Sequence, residues 1–298
     1  MQAIDRVTMK QTASGGVLKP VVNGALALAY AARPHRLAHP LGFLRLASEK
    51  LVHRPAAPFQ RRPEEALTIP DGLIDIGGPM SVDRLVAAYA EGIYPWCHIG
   101  PVKWWAPSHR AVLFLEESRI EKSLRRVLRQ SKFTVTFDKA FGAVMEACAE
   151  PRPGRPALTW ITPRFIEAYR ELHRAGHAHS VEVWDAQGNL AGGLYGVASG
   201  GVFFTESQFA RARDTSKVAF VTLNRHLAEW GFVLNDGKAM TGHLAALGMR
   251  EISRAEFTAI LKSRRDAGRP SGRWQADTGL DVAGWEPLRP SSPEASAA

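Results

Sequence analysis

The sequence has few cysteines and no hydrophobic run long enough to cross a membrane. Only Cys97 and Cys148 occur in 298 residues, which argues against a disulfide framework and indicates a reducing compartment. No Cys/His array has the spacing of a metal site. The best transmembrane candidate, residues 21–32, is much shorter than the ~20 apolar residues that a spanning helix needs. It also lacks a cleavage pattern of small residues, so we predict no signal peptide and expect a cytoplasmic protein.

Acidic residues are in the minority. The chain carries 38 Lys and Arg against 29 Asp and Glu, giving a formal net charge of +9 and a pI near 9.8. This excess favours a polyanionic partner, either nucleic acid or an acidic membrane surface. A basic tail or an evenly charged surface would also produce it. The hydrophobic content of 45% is typical of a soluble globular protein, and the length allows one large or two ordinary domains.

The two ends of the chain differ in composition from the middle. Residues 1–64 are rich in Ala, Arg, His and Pro, and we predict a partly disordered basic extension with one or two short amphipathic helices. Residues 263–298 are predicted to be a disordered tail, because Gly, Pro, Ser and Ala are frequent from residue 268 onward.

Between the ends, helical and strand-like periodicity alternate. Helices are predicted over 81–92 and 118–131. The apolar runs Leu194–Ala198 and Val202–Thr205 predict two strands of a hairpin, after which Glu206 ends the apolar run. The pattern as a whole predicts a mixed α/β fold around an antiparallel or mixed sheet.

Positive charge is concentrated on the predicted helix at 118–131. The four cations Lys122, Arg125, Arg126 and Arg129 recur at helical spacing opposite the apolar stripe. A solvated helix face would normally include more acidic residues. We therefore expect this stripe to contact phosphates of a nucleic acid, and a solvated face is the alternative.

Three tryptophans lie within ten residues, in the segments YPWC and KWWAP, and Trp160 stands alone in LTWIT. We expect at least one ring of the Trp104–Trp105 pair to lie in the core. Trp96 and Trp160 lie where loops meet regular elements, and they are the candidates for stacking on a base or sugar.

Several motifs, taken in order, carry a resemblance to a known family. They are EGIYPW, WWAP followed by RAV, TWIT, AYRELHRAGHAHSVEVW, GGLYGVASGGVFFTESQF, and SK at the start of the next helix. Over about residues 67–257 the chain resembles the bacterial leucyl/phenylalanyl-tRNA–protein transferases. The resemblance implies transfer of an amino acid from tRNA to the N-terminal Arg or Lys of an acceptor protein, which marks that protein for degradation.

The resemblance also implies the domain organisation. We expect a small N-terminal α/β domain at 65–110 and an acetyltransferase-like catalytic domain at 111–262. The chain has no Gly-rich pyrophosphate loop of the kind that acetyl-CoA users carry, and His177 and His179 lack a third ligand. We therefore expect no cofactor and no metal. The expected partners are aminoacyl-tRNA and an acceptor protein with a basic N-terminal residue; we expect a monomer without stable membrane association.

The resemblance places the pocket for the donor's side chain at Leu194, Phe203, Phe220, Leu223 and Leu227, with Gln208 beside it where the family has methionine. The glycines of the hairpin let a substrate approach the strands closely. We expect Glu206 at the mouth of the pocket, where it can attract a cationic acceptor; a surface carboxylate at a strand end is the alternative.

Two further positions concern catalysis. Asp236 matches the family's catalytic-relay aspartate, but Lys238 replaces the family's glutamine, and Thr241 and Gly242 replace its Asn-Asp before His243. We expect Lys238 to stay charged beside Asp236 and to stabilise the oxyanion of the reacting ester. A catalytically impaired paralogue that binds tRNA or degradation signals is the alternative. A third reading, a basic membrane-surface protein, leaves the pocket motifs unexplained.

Overall fold

The computed structural model describes residues 39–52, 58–98, 100–151, 159–267, 270 and 272–287. The α-helices are α1 (His39–Val52), α2 (Val82–Ala90), α3 (Lys122–Arg129), α4 (Phe141–Ala149), α5 (Pro163–Arg174), α6 (Thr215–Glu229), α7 (Gly242–Ala246) and α8 (Arg254–Ser263). The strands are β1 (Leu73–Ile76), β2 (Tyr94–Pro95), β3 (Lys103–Trp105), β4 (His109–Phe114), β5 (Thr134–Phe137), β6 (Ala178–Trp184), β7 (Leu190–Ser199), β8 (Val202–Ala210), β9 (Leu234–Lys238) and β10 (Arg250–Ser253). The fold is mixed α/β, as predicted.

A small sheet near the N-terminus has the antiparallel order β1-β3-β2. Its centre is Trp104, which is fully buried and donates from its indole N–H to the carbonyl of Gly77 at 3.0 Å. This ring is therefore a core residue, as expected for one member of the tryptophan pair. The sheet supports the loop that carries Trp96.

The larger sheet has seven strands in the order β10-β4-β9-β8-β7-β6-β5. Its neighbouring strands are antiparallel except for β8 and β9, which run parallel. The parallel register pairs Val202 with Leu234 and Phe204 with Asp236. Glu206 and Lys238 each lie two residues beyond that last pair, so this register brings them to the same edge and the same face of the sheet.

The larger sheet separates two apolar layers, because alternate residues of a strand point to opposite faces. Tyr195 of β7 belongs to the layer that includes residues of α2, α4 and α5. Its neighbour Leu194 belongs to the other layer, with residues of α3 and α6. The first layer also includes Trp104 of the small sheet, so one continuous core joins both sheets.

The predicted disordered tail is wrong for residues 272–287. Trp274 is 2% exposed and Trp285 is 9% exposed, and both belong to the α3–α6 layer. Frequent Gly, Pro, Ser and Ala suggested disorder, but two large apolar rings supply enough buried area to order the segment. We call residues 272–287 the C-terminal strap.

The described part of the predicted N-terminal extension contains α1, whose Leu46 is fully buried. Residues 1–38 and 53–57 lie outside the described residues. The boundary predicted after residue 110 falls inside β4, which begins at His109. That division into two domains stays a prediction. None of the helices in the described ranges is long and apolar enough to span a membrane.

Candidate active site

The edge where β8 and β9 stop pairing carries two ion pairs. The first joins Asp236 of β9 to Arg110 of β4, whose side chains are 0% and 1% exposed. Two guanidinium nitrogens of Arg110 donate to the two carboxylate oxygens, at 3.1 and 2.5 Å. Burial lowers the pKa of Arg110, but the charge and hydrogen bonds of Asp236, together with Tyr94 and Glu206, outweigh burial and raise the pKa above its usual value.

Asp236 also fixes the backbone of Lys238, two residues further along the chain. Its Oδ1 accepts from the backbone N–H of Lys238 at 3.1 Å. Lys238 adopts a left-handed conformation with φ of 68°, which is uncommon for a residue other than glycine. The carboxylate and the turn together set the direction in which the lysine side chain leaves the strand.

The second ion pair joins Lys238 to Glu206 of β8, with 2.8 Å between Nζ and Oε1. The same ammonium donates to the carbonyl oxygen of Thr205 at 2.7 Å. The predicted side-chain pairing of Lys238 with Asp236 is therefore wrong. Asp236 has a stronger, bidentate partner in Arg110, and the parallel register brings Glu206 beside Lys238 instead.

Tyrosines surround Glu206 from the opposite side. The Tyr89 hydroxyl of α2 donates to Glu206 Oε1 at 2.6 Å and lies 2.5 Å from the Tyr169 hydroxyl of α5. Burial raises the pKa of Tyr89, Tyr169 and Tyr195, and the nearby Glu206 charge raises them further. All three hydroxyls therefore remain neutral, and that of Tyr89 donates to Glu206. No sequence pattern points to this role, because Tyr89 and Tyr169 lie on the apolar faces of ordinary amphipathic helices.

The five predicted donor-pocket residues lie in one apolar cluster on the α6 face of the sheet. They are buried, with exposures of 0–3%, so neighbouring side chains close the expected cavity. Gln208 is half-buried near this cluster, and its amide contacts His243 of α7. Met240 and Leu244 of the segment that includes α7 pack on the same cluster.

The predicted cationic stripe lies on α3, where Lys122, Arg126 and Arg129 are exposed. Arg125 departs from the prediction of four free cations. Its guanidinium donates to the carbonyl oxygens of Ala283 and Trp285, at 2.6 and 3.0 Å. It holds the C-terminal strap on α3 and is not a free phosphate contact.

Trp96 and Trp160 are both half-buried. Trp96 packs edge-on against His98, with 4.7 Å between ring centroids, and Trp160 packs edge-on against Phe165 at 5.4 Å. Arg164 at the start of α5 donates to the sulfur of Cys97 at 2.9 Å, which links the segments that carry the two rings. Their stacking role stays a prediction.

Of the two histidines in the HAH segment, His179 lies on β6 and His177 just precedes that strand. His179 shares a hydrogen bond of 2.7 Å with Asp138 and stacks on the Trp274 ring at 3.6 Å. Within the described ranges, no group of three or more His, Cys, Asp or Glu residues is arranged to hold a metal ion.

Comparison with known proteins identifies one family. Residues 112–262 match the model of the leucyl/phenylalanyl-tRNA protein transferases, and residues 78–108 match the model of the N-terminal domain of the same proteins.

Individual relatives agree with this match. The chain is 52% identical to the leucyl/phenylalanyl-tRNA–protein transferase of Pseudomonas syringae pv. syringae over 204 residues, covering 68% of this chain and 88% of that protein. It is 50% identical to the protein of that name from Azotobacter vinelandii over 204 residues, covering 68% and 89%. A solved structure, that of L-PGS from Bacillus licheniformis, covers 61% of this chain and 60% of that chain at 12% identity, with a TM-score of only 0.32.

Proposed function

The chain belongs to the leucyl/phenylalanyl-tRNA–protein transferase family and is therefore a transferase that uses aminoacyl-tRNA; we propose that it moves an apolar amino acid of the Leu, Phe or Met kind to the N-terminal Arg or Lys of an acceptor protein, marking it for degradation. One observation carries this proposal: the charged pair Glu206–Lys238 lies where β8 and β9 stop pairing, and β8 also contributes Phe203 to the apolar cluster. We further propose that the enzyme is a cytoplasmic monomer.

The reaction requires positioning more than strong acid or base catalysis. The acceptor's α-amine attacks the ester carbonyl carbon; a C–N bond forms, the bond from that carbon to the 3′-oxygen of the tRNA breaks, one proton leaves the nitrogen, and one reaches the 3′-oxygen. The ester is already activated, and an α-amine has a pKa of about 7.7–8.0, so a useful fraction is neutral near pH 7. Holding the two reactants together therefore supplies much of the acceleration.

Glu206 and Lys238 have distinct roles in this proposal. Glu206 attracts the acceptor's α-ammonium and accepts a proton as the amine becomes nucleophilic. An ammonium has three N–H groups, and in the enzyme without substrate Glu206 and the Thr205 carbonyl accept from two of those on Lys238. Lys238 supplies a donor to the oxyanion that develops on the ester. Asp236 is a positioning residue, because it acts on Lys238 through the backbone N–H.

The apolar cluster binds the donor's side chain in this proposal. Its members Leu194 and Phe203 are on the strands, and Phe220, Leu223 and Leu227 are on α6. Entry requires the cover of Met240, Leu244 and Gln208 to move.

Phe203→Ala is expected to reduce transfer of Phe more than transfer of a smaller donor, because only the larger side chain reaches that ring. The ratio of the two kcat/KM values measures the difference. An equal loss for both donors would remove Phe203 from the pocket.

The tRNA contacts the exposed cations of α3, namely Lys122, Arg126 and Arg129, and stacks on Trp96 and Trp160. The cations neutralise phosphates, and the half-exposed rings offer faces to an unpaired base.

A direct experiment tests the function. The protein is incubated with a mixed pool of charged tRNAs and a reporter protein that begins with Arg, and the reporter's mass is measured. We expect one added residue of Leu, Phe or Met mass, and none on a reporter whose N-terminus is acetylated.

Lys238→Ala is expected to lower kcat about 100-fold, as for loss of an oxyanion donor, with tRNA binding unchanged. Lys238→Gln is expected to retain substantial activity, because an amide also donates.

The Lys238–Glu206 pair also motivates a second candidate function, a paralogue that binds tRNA or N-terminal degradation signals without transfer. Intact tRNA affinity with no mass shift from any charged tRNA, in both the native protein and Lys238→Gln, would favour that function.

A further inference from the structure

The ammonium of Lys238 sits in a small cage of groups suited to a cation. The cage consists of the Glu206 carboxylate at 2.8 Å, the Thr205 carbonyl oxygen at 2.7 Å and the face of Tyr94, whose ring centroid is 5.5 Å from Nζ. A carboxylate, a carbonyl and an aromatic face are the groups that bind a primary ammonium in proteins. The cage is thus an ammonium site filled by the protein's own side chain.

The position of Lys238 controls access to Glu206. The Glu206 side chain is 1% exposed, whereas that of Lys238 is 11% exposed. Tyr89 covers the same carboxylate oxygen from the other side. An incoming cation that enters from the solvent side therefore meets the lysine first, and it contacts Glu206 only after the lysine has moved.

The lysine is directed into the cage by its backbone. Its left-handed conformation and its N–H bond to Asp236 fix where the side chain starts. Asp236 in turn is held by Arg110. This rigid base leaves the methylene stem as the part of Lys238 that can swing.

We propose that this cage is the site of the acceptor's α-ammonium, and that Lys238 occupies it in the free enzyme as a built-in competitor. The inference rests on the proposed function, since it assigns the cage to that function's acceptor. Exchange of one ammonium for another keeps Glu206 paired at every stage, so a buried carboxylate is never left without a cation. The displaced Lys238 ammonium moves out of the cage toward the solvent side, where it meets the ester oxygen. An acceptor without a free α-ammonium does not displace it.

The test is equilibrium binding of an Arg-initiated peptide, labelled at its C-terminus, to the full chain without tRNA. We expect Lys238→Met to bind the peptide about tenfold more tightly than the native protein, because a site that is free only about a tenth of the time weakens apparent affinity by that factor. The same peptide with an acetylated N-terminus is expected to show no gain. Lys262→Met is the matched control, since Lys262 is an exposed lysine on α8 that faces Glu64.

Two further measurements test whether the gain in peptide binding depends on Glu206 and whether it also appears during transfer. Glu206→Gln combined with Lys238→Met is expected to lose the gain, and circular dichroism checks that each variant is folded. In transfer assays the KM for the peptide is expected to fall about tenfold in Lys238→Met, even as kcat falls.

Unchanged or weaker peptide binding in Lys238→Met would overturn the inference while leaving transfer by the native protein intact. Equal gains for the acetylated peptide would also overturn it. Tighter binding without any transfer by the native protein would support the cage and contradict the proposed function.

Discussion

Two carboxylates at the candidate site, Asp236 and Glu206, are both buried and both compensated by a cation. Their partners differ in kind. Arg110 is itself fully buried and binds Asp236 through two hydrogen bonds, whereas Lys238 keeps part of its surface exposed to solvent. The first pair is suited to holding structure, and the second is suited to exchange with a substrate.

Removing the Asp236 carboxylate is expected to destabilise the protein strongly. Asp236→Ala leaves Arg110 charged and buried without its partner, which typically costs about 3–5 kcal/mol of unfolding free energy. Denaturant unfolding measures the change. The matched control is Glu117→Ala, which breaks the exposed pair with Arg250 and should cost about 0–1 kcal/mol. Similar small losses in both variants would show that the Arg110–Asp236 pair does not hold the site together.

At the scale of elements, the C-terminal strap ties together parts of the α6 face that are distant in sequence. Trp274 stacks on His179 of β6 and lies 5.8 Å from the ring of Phe203. Its backbone N–H donates to Asp138 at 2.7 Å. Asp277 donates from its N–H to His226 of α6 at 2.9 Å. The strap therefore closes the inner side of the cluster assigned to the donor's side chain.

Trp274→Ala is expected to lower the unfolding free energy by about 3–5 kcal/mol, since it removes a large buried ring and leaves a cavity. Leu44→Ala in α1 is the control: this leucine is 66% exposed, so its loss should cost under about 0.5 kcal/mol. Thermal or denaturant unfolding distinguishes the two. A Trp274→Ala protein as stable as the control would mean that the strap is not part of the folded core.

His226 makes the strap sensitive to pH. Its Nδ1 shares a hydrogen bond with the Thr222 carbonyl and its Nε2 accepts from Asp277, so the neutral ring satisfies both. Burial lowers the pKa of His226. As the pH falls below about 6.5, the unfolded chain binds a proton at this residue that the folded chain does not, and stability decreases.

The prediction is a loss of unfolding free energy between pH 8 and pH 5 that is smaller in His226→Gln. Denaturant unfolding at several pH values measures both slopes. The variant is expected to be less stable at pH 8, where the neutral imidazole contributes. Equal slopes in the two proteins would assign the pH dependence to other groups.

Local patterns predicted the elements that carry their own signal. The periodicity of 81–92 and 118–131 marks α2 and α3, and the apolar runs mark β7 and β8. The partner of Lys238 could not be predicted in this way. That partner is set by the parallel pairing of β8 with β9. The two strands are separated in the sequence by α6, so no local pattern reveals their pairing. Tyr89 approaches Glu206 from 117 residues away, and the strap's tryptophans are isolated among residues typical of loops.

At the scale of the whole molecule, the net charge of +9 suits a protein that binds tRNA, and its distribution matters more than its sum. Many arginines are occupied by the fold itself, as Arg110 and Arg125 show. The exposed side of α3 carries Lys122, Arg126 and Arg129, the cations to which we propose that tRNA binds. A phosphate backbone bound there releases counterions, so binding weakens as salt rises.

The double variant Arg126→Ala/Arg129→Ala is therefore expected to weaken tRNA binding and to flatten its dependence on salt. Each lost phosphate contact should reduce the slope of log Kd against log salt by about one unit. Filter binding or fluorescence titration at several salt concentrations measures the slope. The apolar face of α3 is untouched, so the variant should remain as stable as the native protein.

Arg125→Ala is the matched control, because it removes the same charge from the same helix. Its guanidinium is occupied by Ala283 and Trp285 of the strap, so we expect a loss of stability and a nearly unchanged salt slope. The two variants thus separate a cation that binds the partner from one that holds the fold. A flattened slope in Arg125→Ala alone would reverse this assignment, since it would mean that the strap leaves α3 when tRNA binds and that Arg125 exchanges carbonyl oxygens for phosphates.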